Sequence, residues 1–132
     1  MSQRNKLINI VPVIFYLLFA DYAAAETPLL IFGSSENGRR GNVFLGCINC
    51  NKFDSDALAN QFGDFGSRFS SVSIYNRFGE YGNQFSDISA CNPRATNPPV
   101  VVDNQGDFYG YLTLNRRIKK IIIDPRTLGA CR

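Results

Sequence analysis

Four cysteines, Cys47, Cys50, Cys91 and Cys131, are the side chains of this 132-residue sequence best suited to chemistry, because it contains no histidine. Without imidazole no side chain titrates near neutrality unperturbed. That removes the usual general base of Ser and Cys hydrolases, the HExxH zinc site and His-ligated haem. Cys47 and Cys50 form a CxxC, and thiols at that spacing can lower one another's pKa and cycle through a disulfide, most readily at a helix N-terminus. A thioredoxin-type site opens a helix within a βαβ unit, whereas Cys47 follows a strand-like run and the next helical pattern begins only near Asp54. With Cys91 and Cys131 completing an even count, two structural bridges are favoured over a redox pair at Cys47 and Cys50 or a four-cysteine zinc site. Three connectivities are open. Joining Cys47 or Cys50 to Cys91 would clamp a loop of about 40 residues, worth up to roughly 3–4 kcal/mol in chain entropy. A local Cys47 to Cys50 bridge with Cys91 to Cys131 competes with it.

Other residues weigh less as chemistry. Asp54, Asp56, Asp64, Asp103 and Asp107 read as caps and turn residues, since Asp103-x-Gln105-x-Asp107 lacks the following Gly and distal Glu of a calcium loop. No carboxylate pair shows a reason for opposed pKa shifts, and no phosphate-cradling glycine loop precedes a helix. The chain is therefore expected to need no cofactor or metal, and a non-enzymatic role is favoured. Arg116, Arg117, Lys119, Lys120 and Arg126 could contact lipid phosphate or nucleic acid, but gatekeeping of the apolar run Ile118 to Ile123 is favoured. Tyr109 and Tyr111 alternate with Phe108 and Gly110, which by period two puts them on one sheet face as a binding pair. The rings of Phe53, Phe62, Phe65, Phe69, Tyr75, Phe78, Tyr81 and Phe85 are read as core, over a sugar-stacking platform. Tyr75 is the exception, because its counterpart in a repeat is Ala59.

The N-terminal 25 residues set the compartment. Arg4 and Lys6 precede a mostly apolar run, Leu7 to Ala20, and Ala23-Ala24-Ala25 supplies a small-residue cleavage site, so cleavage is expected before Glu26. Asn9, Pro12 and Asp21 leave the run shorter than the roughly 20 residues needed to span a bilayer. The mature chain, 26–132, should carry no membrane span and act in the periplasm or outside the cell, where disulfides persist. Removing Arg4, Lys6 and Asp21 takes the formal charge from +3 to +2, which disfavours nucleic acid and leaves an envelope component or another protein as partner.

The elements that must position these residues form a single small domain built around a repeat. Residues 53–68 realign on 69–84 without a gap, matching at Phe53/Phe69, Ser55/Ser71, Asn60/Asn76, Phe62/Phe78, Gly63/Gly79 and Gly66/Gly82, and a partial third copy covers 85–97. Asp54, Ser70 and Ser86 stand where an N-cap would, and Gly63 and Gly79 where a left-handed residue would stop a helix two turns later. Leu58 and Phe62, like Ile74 and Phe78, are four apart and would share a helical face. Each unit is thus expected to be a short helix closed by a Gly-aromatic-Gly turn whose ring packs back. Pro28 to Phe32 with Asn42 to Leu45, and Pro99 to Val102 with Asp107 to Thr113, predict two hairpins, the first turned near Asn37-Gly38 and the second at Asp103 to Gly106. Ile118 to Ile123 favours a last strand, although Asn115 could cap a helix, and Pro125 opens a terminal turn. The expectation is an α+β fold: a small antiparallel sheet with the 16-residue helical repeats packed on one face.

FLGCINC, the FSxxSIxNxFGxYG repeats and NPPVVVDNQGDFYGYLTLN together resemble a family of uncharacterised small bacterial exported proteins. The resemblance covers nearly all of the mature chain and implies one exported domain, with no activity or ligand to transfer. In that pattern the third repeat tends to carry an aromatic residue where this chain has Cys91, which implies a local job for Cys91, most simply a bridge.

Overall fold

The computed structural model describes residues 25–35, 37 and 39–132. Apart from Ala25, the expected leader lies outside the described residues, and so does Gly38 of the first turn signal. Five strands form one sheet: β1 (Leu29–Gly33), β2 (Val43–Cys47), β3 (Val100–Asp103), β4 (Phe108–Leu112) and β5 (Ile122–Ile123), in the order β2-β1-β3-β4-β5. β1 pairs with β2 and β3 with β4 as the two expected hairpins, and β1 pairs antiparallel with β3 in the middle of the sheet. The run at the C-terminal end does supply a strand, but it lies parallel to β4, so the sheet is mixed rather than antiparallel. Asn115 helps turn the chain between these two strands. Its Oδ1 accepts the Arg117 amide at 3.0 Å and its Nδ2 donates to the Ala95 carbonyl at 2.8 Å, a turn rather than a helix cap.

Period-two burial is clearest in β3, where Val101 and Asp103 are buried and Val100 and Val102 only partly so. Val101 joins Ile31, Leu45 and Leu112 in the core. Among the described residues the one helical element is a 3-10 turn, Pro125–Leu128, which Asp124 caps and Gly129 ends at a positive φ of 81°.

The repeats form no helix. From Asp54 onward the backbone closes one short turn after another, with Ala57 N–H donating to Asp54, Asn60 to Ala57 and Gly63 to Asn60 at 3.1–3.2 Å. The same steps recur sixteen residues later at Ser73, Asn76 and Gly79, with distances of 3.0–3.3 Å. Side chains explain why a helix loses here. Asn60, Asn76 and Asn92 each accept an amide hydrogen two residues on, at 2.9–3.1 Å. Each also donates to a carbonyl six residues back, of Asp54, Ser70 and Ser86, at 2.9–3.1 Å. Ser70, Ser73, Ser86 and Ser89 accept in the same i+2 manner. Asn and Ser thus offer the backbone local partners that compete with helical ones. The expected N-caps Ser70 and Ser86 therefore open turns, and the α+β assignment gives way to a mixed sheet flanked by stacked turns.

The repeats couple to the sheet through their closing rings. Phe65 and Tyr81 occupy equivalent repeat positions, and each lies over a strand glycine. A Cβ on Gly46 would come within 2.7 Å of the Phe65 side chain, and one on Gly33 within 2.6 Å of the Tyr81 ring. Absence of a side chain at these two strand positions is therefore what admits the rings. Tyr81 Oη also donates to the buried Ser34 carbonyl at 3.0 Å, and the Phe65 ring meets Phe44 edge-on at 4.9 Å. Leu58, Ile74 and Ala90, one per repeat, complete the buried side of the turns.

Candidate functional site

The cysteines form two bridges, Cys47 to Cys50 and Cys91 to Cys131. The alternative clamp from Cys47 or Cys50 to Cys91 is therefore not used. Cys47 is only 1% exposed, and its amide and carbonyl are held by Asp56 and Leu58, so the CxxC anchors the first repeat to the end of β2. Cys131 ties the chain end to Cys91 in the third copy, beside the core residue Ala90.

The largest departure from the sequence reading concerns the phenylalanines. Phe53, Phe62, Phe69, Phe78 and Phe85 are 80–100% exposed, so these five are not core; of the other rings assigned to packing, Tyr81 is buried and Phe65 partly buried, and Tyr75, the expected exception, is itself partly buried against the core. The arrangement behind their exposure is the same each time. The amide of each Phe donates to the side chain two residues earlier, of Asn51, Asn60, Ser67, Asn76 and Asn83, at 2.7–3.1 Å. The backbone of each Phe is thereby held at the outer apex of a turn. The residue before each ring is Lys52, Gln61, Arg68, Arg77 or Gln84. Lys52 Nζ lies 5.1 Å from the centre of the Phe53 ring, and the Arg77 guanidinium 5.0 Å from that of Phe78. Phe78 and Phe85 share an open hollow with Arg68, Arg77 and Arg94.

A second concavity, of about 440 Å³, lies at one end of the sheet. Arg40, Lys119 and Lys120 line it together with Phe108, Tyr111 and Ile118. A bulge explains the ring pair. Val101 faces Gly110 but Val102 faces Phe108, so Tyr109 is the extra residue and strict alternation fails. The expected pairing of Tyr109 with Tyr111 is therefore replaced by Phe108 against Tyr111, edge-on at 5.2 Å. Lys120 Nζ sits 5.8 Å from the Tyr111 ring centre.

The remaining candidates fall elsewhere. Tyr109 Oη donates to Asp103 Oδ2 at 3.3 Å; desolvation and the Asp103 charge push the phenol above its ordinary value. Asp103 is lowered although desolvation opposes this, because the amides of Asp107, Gln105 and Gly106 and the Tyr109 hydroxyl all donate to it. Tyr75 Oη donates to the Leu128 carbonyl at 2.8 Å, and burial raises its pKa, so it is a strut to the 3-10 turn. Arg116 and Arg117 are exposed and do not line the concavity that takes Lys119 and Lys120. Arg40 and Phe108 went unread in the sequence. Phe108 was hidden by the bulge, and Arg40 carries no local signal. No cluster of three metal-ligating side chains occurs among the described residues. Comparison with protein families, with curated proteins and with solved structures finds no match.

Proposed function

We propose that this protein is an exported, disulfide-stabilised module that acts by binding a component of the cell envelope, without catalysis. The observation that carries the reading is the set of five phenylalanines held outward by backbone bonds. Leaving a Phe ring in water forgoes about 1.5–3 kcal/mol of burial, so five of them add nothing to stability and leave apolar surface for a partner to cover. Fixing the backbone of each turn in advance lowers the ordering cost of association. Charges of both signs stand among the rings, Lys52, Arg68 and Arg77 against Asp54, Asp64 and Glu80, which fits a partner of mixed rather than single charge. Two bridges and a leader-like N-terminus support action outside the cytoplasm. Burial of Cys47 and the backbone bonds that tie it to Asp56 and Leu58 support a staple there, with the partly buried Cys50 the more accessible sulfur of the pair.

The test is co-sedimentation of the mature chain with envelope fractions of the producing cell. The wild-type protein should pellet. A variant with Phe53, Phe62, Phe69, Phe78 and Phe85 all changed to Ser, with an unchanged far-ultraviolet spectrum, should stay in the supernatant. Equal partition of the two proteins would contradict the proposal.

A further inference from the structure

We infer that the concavity between the 39–41 loop, β4 and the Ile118 to Lys120 segment is a binding site for a small phosphate monoester whose organic part is a sugar. This goes beyond the envelope-binding role of the phenylalanine apices and does not depend on it.

Charge comes first. Arg40, Lys119 and Lys120 converge on one hollow from sequence positions almost 80 residues apart, and no carboxylate lines it among the described residues. The one ion pair found among the described residues joins Arg126 to Asp124, so these three cations lack an ionic partner there. Converging unpaired cations repel one another, and a dianionic group placed among them relieves that repulsion better than a single carboxylate does. Arginine adds a planar fork that matches phosphate oxygens, and the lysines add mobile point charges.

Shape and lining decide the rest of the ligand. A volume of about 440 Å³ is at the small end of ligand sites, too small for a folded macromolecular segment. Its wall carries the edge-on pair Phe108 and Tyr111, with Phe108 47% exposed and so open to contact. The polar Thr96 and Asn97 also line the hollow. Both are locked from behind by Asp87. Thr96 Oγ1 donates to its Oδ2 at 2.6 Å, the Thr96 amide to its Oδ1 at 2.8 Å, and Asn97 Nδ2 to its Oδ2 at 3.0 Å. Thr96 Oγ1 accepts from Asn97 Nδ2 at 3.4 Å, which leaves it one lone pair, and this oxygen and the Asn97 side-chain carbonyl are the acceptors offered to ligand hydroxyls. An aromatic wall for C–H faces, acceptors for hydroxyls and a cationic end for phosphate together describe a sugar phosphate.

The bulge in β4 is what builds the site. In a regular strand Phe108, three positions before Tyr111, would face the other side of the sheet; with Tyr109 bulged out of the pairing the two rings share a face. Lys120 Nζ lies over the Tyr111 ring and lines the same hollow.

The experiment is NMR titration of the full mature chain with glucose 6-phosphate, glucose, inorganic phosphate, adenosine monophosphate and phosphatidylglycerol vesicles. Glucose 6-phosphate should shift the Arg40, Phe108, Tyr111, Lys119 and Lys120 amides in a saturable and salt-sensitive way. Glucose and inorganic phosphate should each bind at least about tenfold more weakly, since each lacks half of the recognised groups. The Lys119→Gln/Lys120→Gln variant should lose about tenfold in affinity, whereas Arg116→Gln/Arg117→Gln should change it by less than about twofold. All four positions are exposed, so neither change threatens the fold. Absence of saturable shifts, equal binding of inorganic phosphate, tighter binding of adenosine monophosphate, a response to vesicles alone or equal losses in the two variants would each overturn the inference.

Discussion

Asn76 shows how much one side chain organises. Its Oδ1 accepts the Phe78 amide at 3.0 Å and its Nδ2 donates to the Ser70 carbonyl at 3.0 Å, so a single residue closes a turn and pushes a ring outward. Asn76→Ala should destabilise by about 1–3 kcal/mol in urea unfolding, with Asn76→Asp intermediate because it keeps the acceptor and loses the donor. Gly82 is stricter still. A Cβ there would overlap the Asn76 carbonyl oxygen and come within 2.7 Å of the Ile74 carbonyl, so Gly82→Ala should cost about 3 kcal/mol or prevent folding. Acid sensitivity also belongs to single residues. Hydrogen bonds from Arg126 lower Asp124 from 3.8 to about 2, and Asp87, bonded by Thr96, is also lowered. A carboxyl lowered in the folded state adds stability that is complete above its unfolded pKa and lost as pH falls through its folded one. Melting temperature should therefore fall as pH drops from about 4 toward 2, and Asp124→Asn should shallow that fall.

At the scale of elements, the strands were legible and the repeats only half so. Short apolar, strand-like runs with turn residues between them marked both hairpins, since a strand in a half-buried sheet needs little else. The sixteen-residue period was equally plain. Its conformation was not, because the spacing of Leu58 to Phe62 suits a helical face as well as it suits a turn that buries one residue and exposes the other. The discriminating signal was the step of three from Ser70 through Ser73 to Asn76, side chains that capture nearby amides. Of the candidate site, Tyr111, Lys119 and Lys120 could be read, whereas Phe108 needed the bulge and Arg40 the fold. The two bridges should differ in worth. Cys91 to Cys131 spans 40 residues and encloses β3, β4 and β5, so Cys91→Ser/Cys131→Ser should cost about 4 kcal/mol in the chain-entropy account. Cys47→Ser/Cys50→Ser, across three residues, should cost about 2 kcal/mol on the same account, read from urea midpoints.

At the scale of the molecule, sheet and turns divide the closing and apex rings of the repeats into two sets with opposite roles. Phe44, Phe65 and Tyr81 join the repeats to the sheet through ring contacts and the glycine gaps at Gly33 and Gly46. Phe53, Phe62, Phe69, Phe78 and Phe85 face solvent on the turn apices. The proposed binding role depends on this division, because rings needed for packing could not also be offered to a partner. The thermal unfolding midpoint of the variant with those five phenylalanines changed to Ser tests it most directly. Removing a core Phe costs about 3–5 kcal/mol, so five core rings could not be lost without unfolding a domain of this size. A midpoint within a few degrees of the wild-type value is predicted here, and an unfolded chain or a fall of more than about 10 °C would contradict the account.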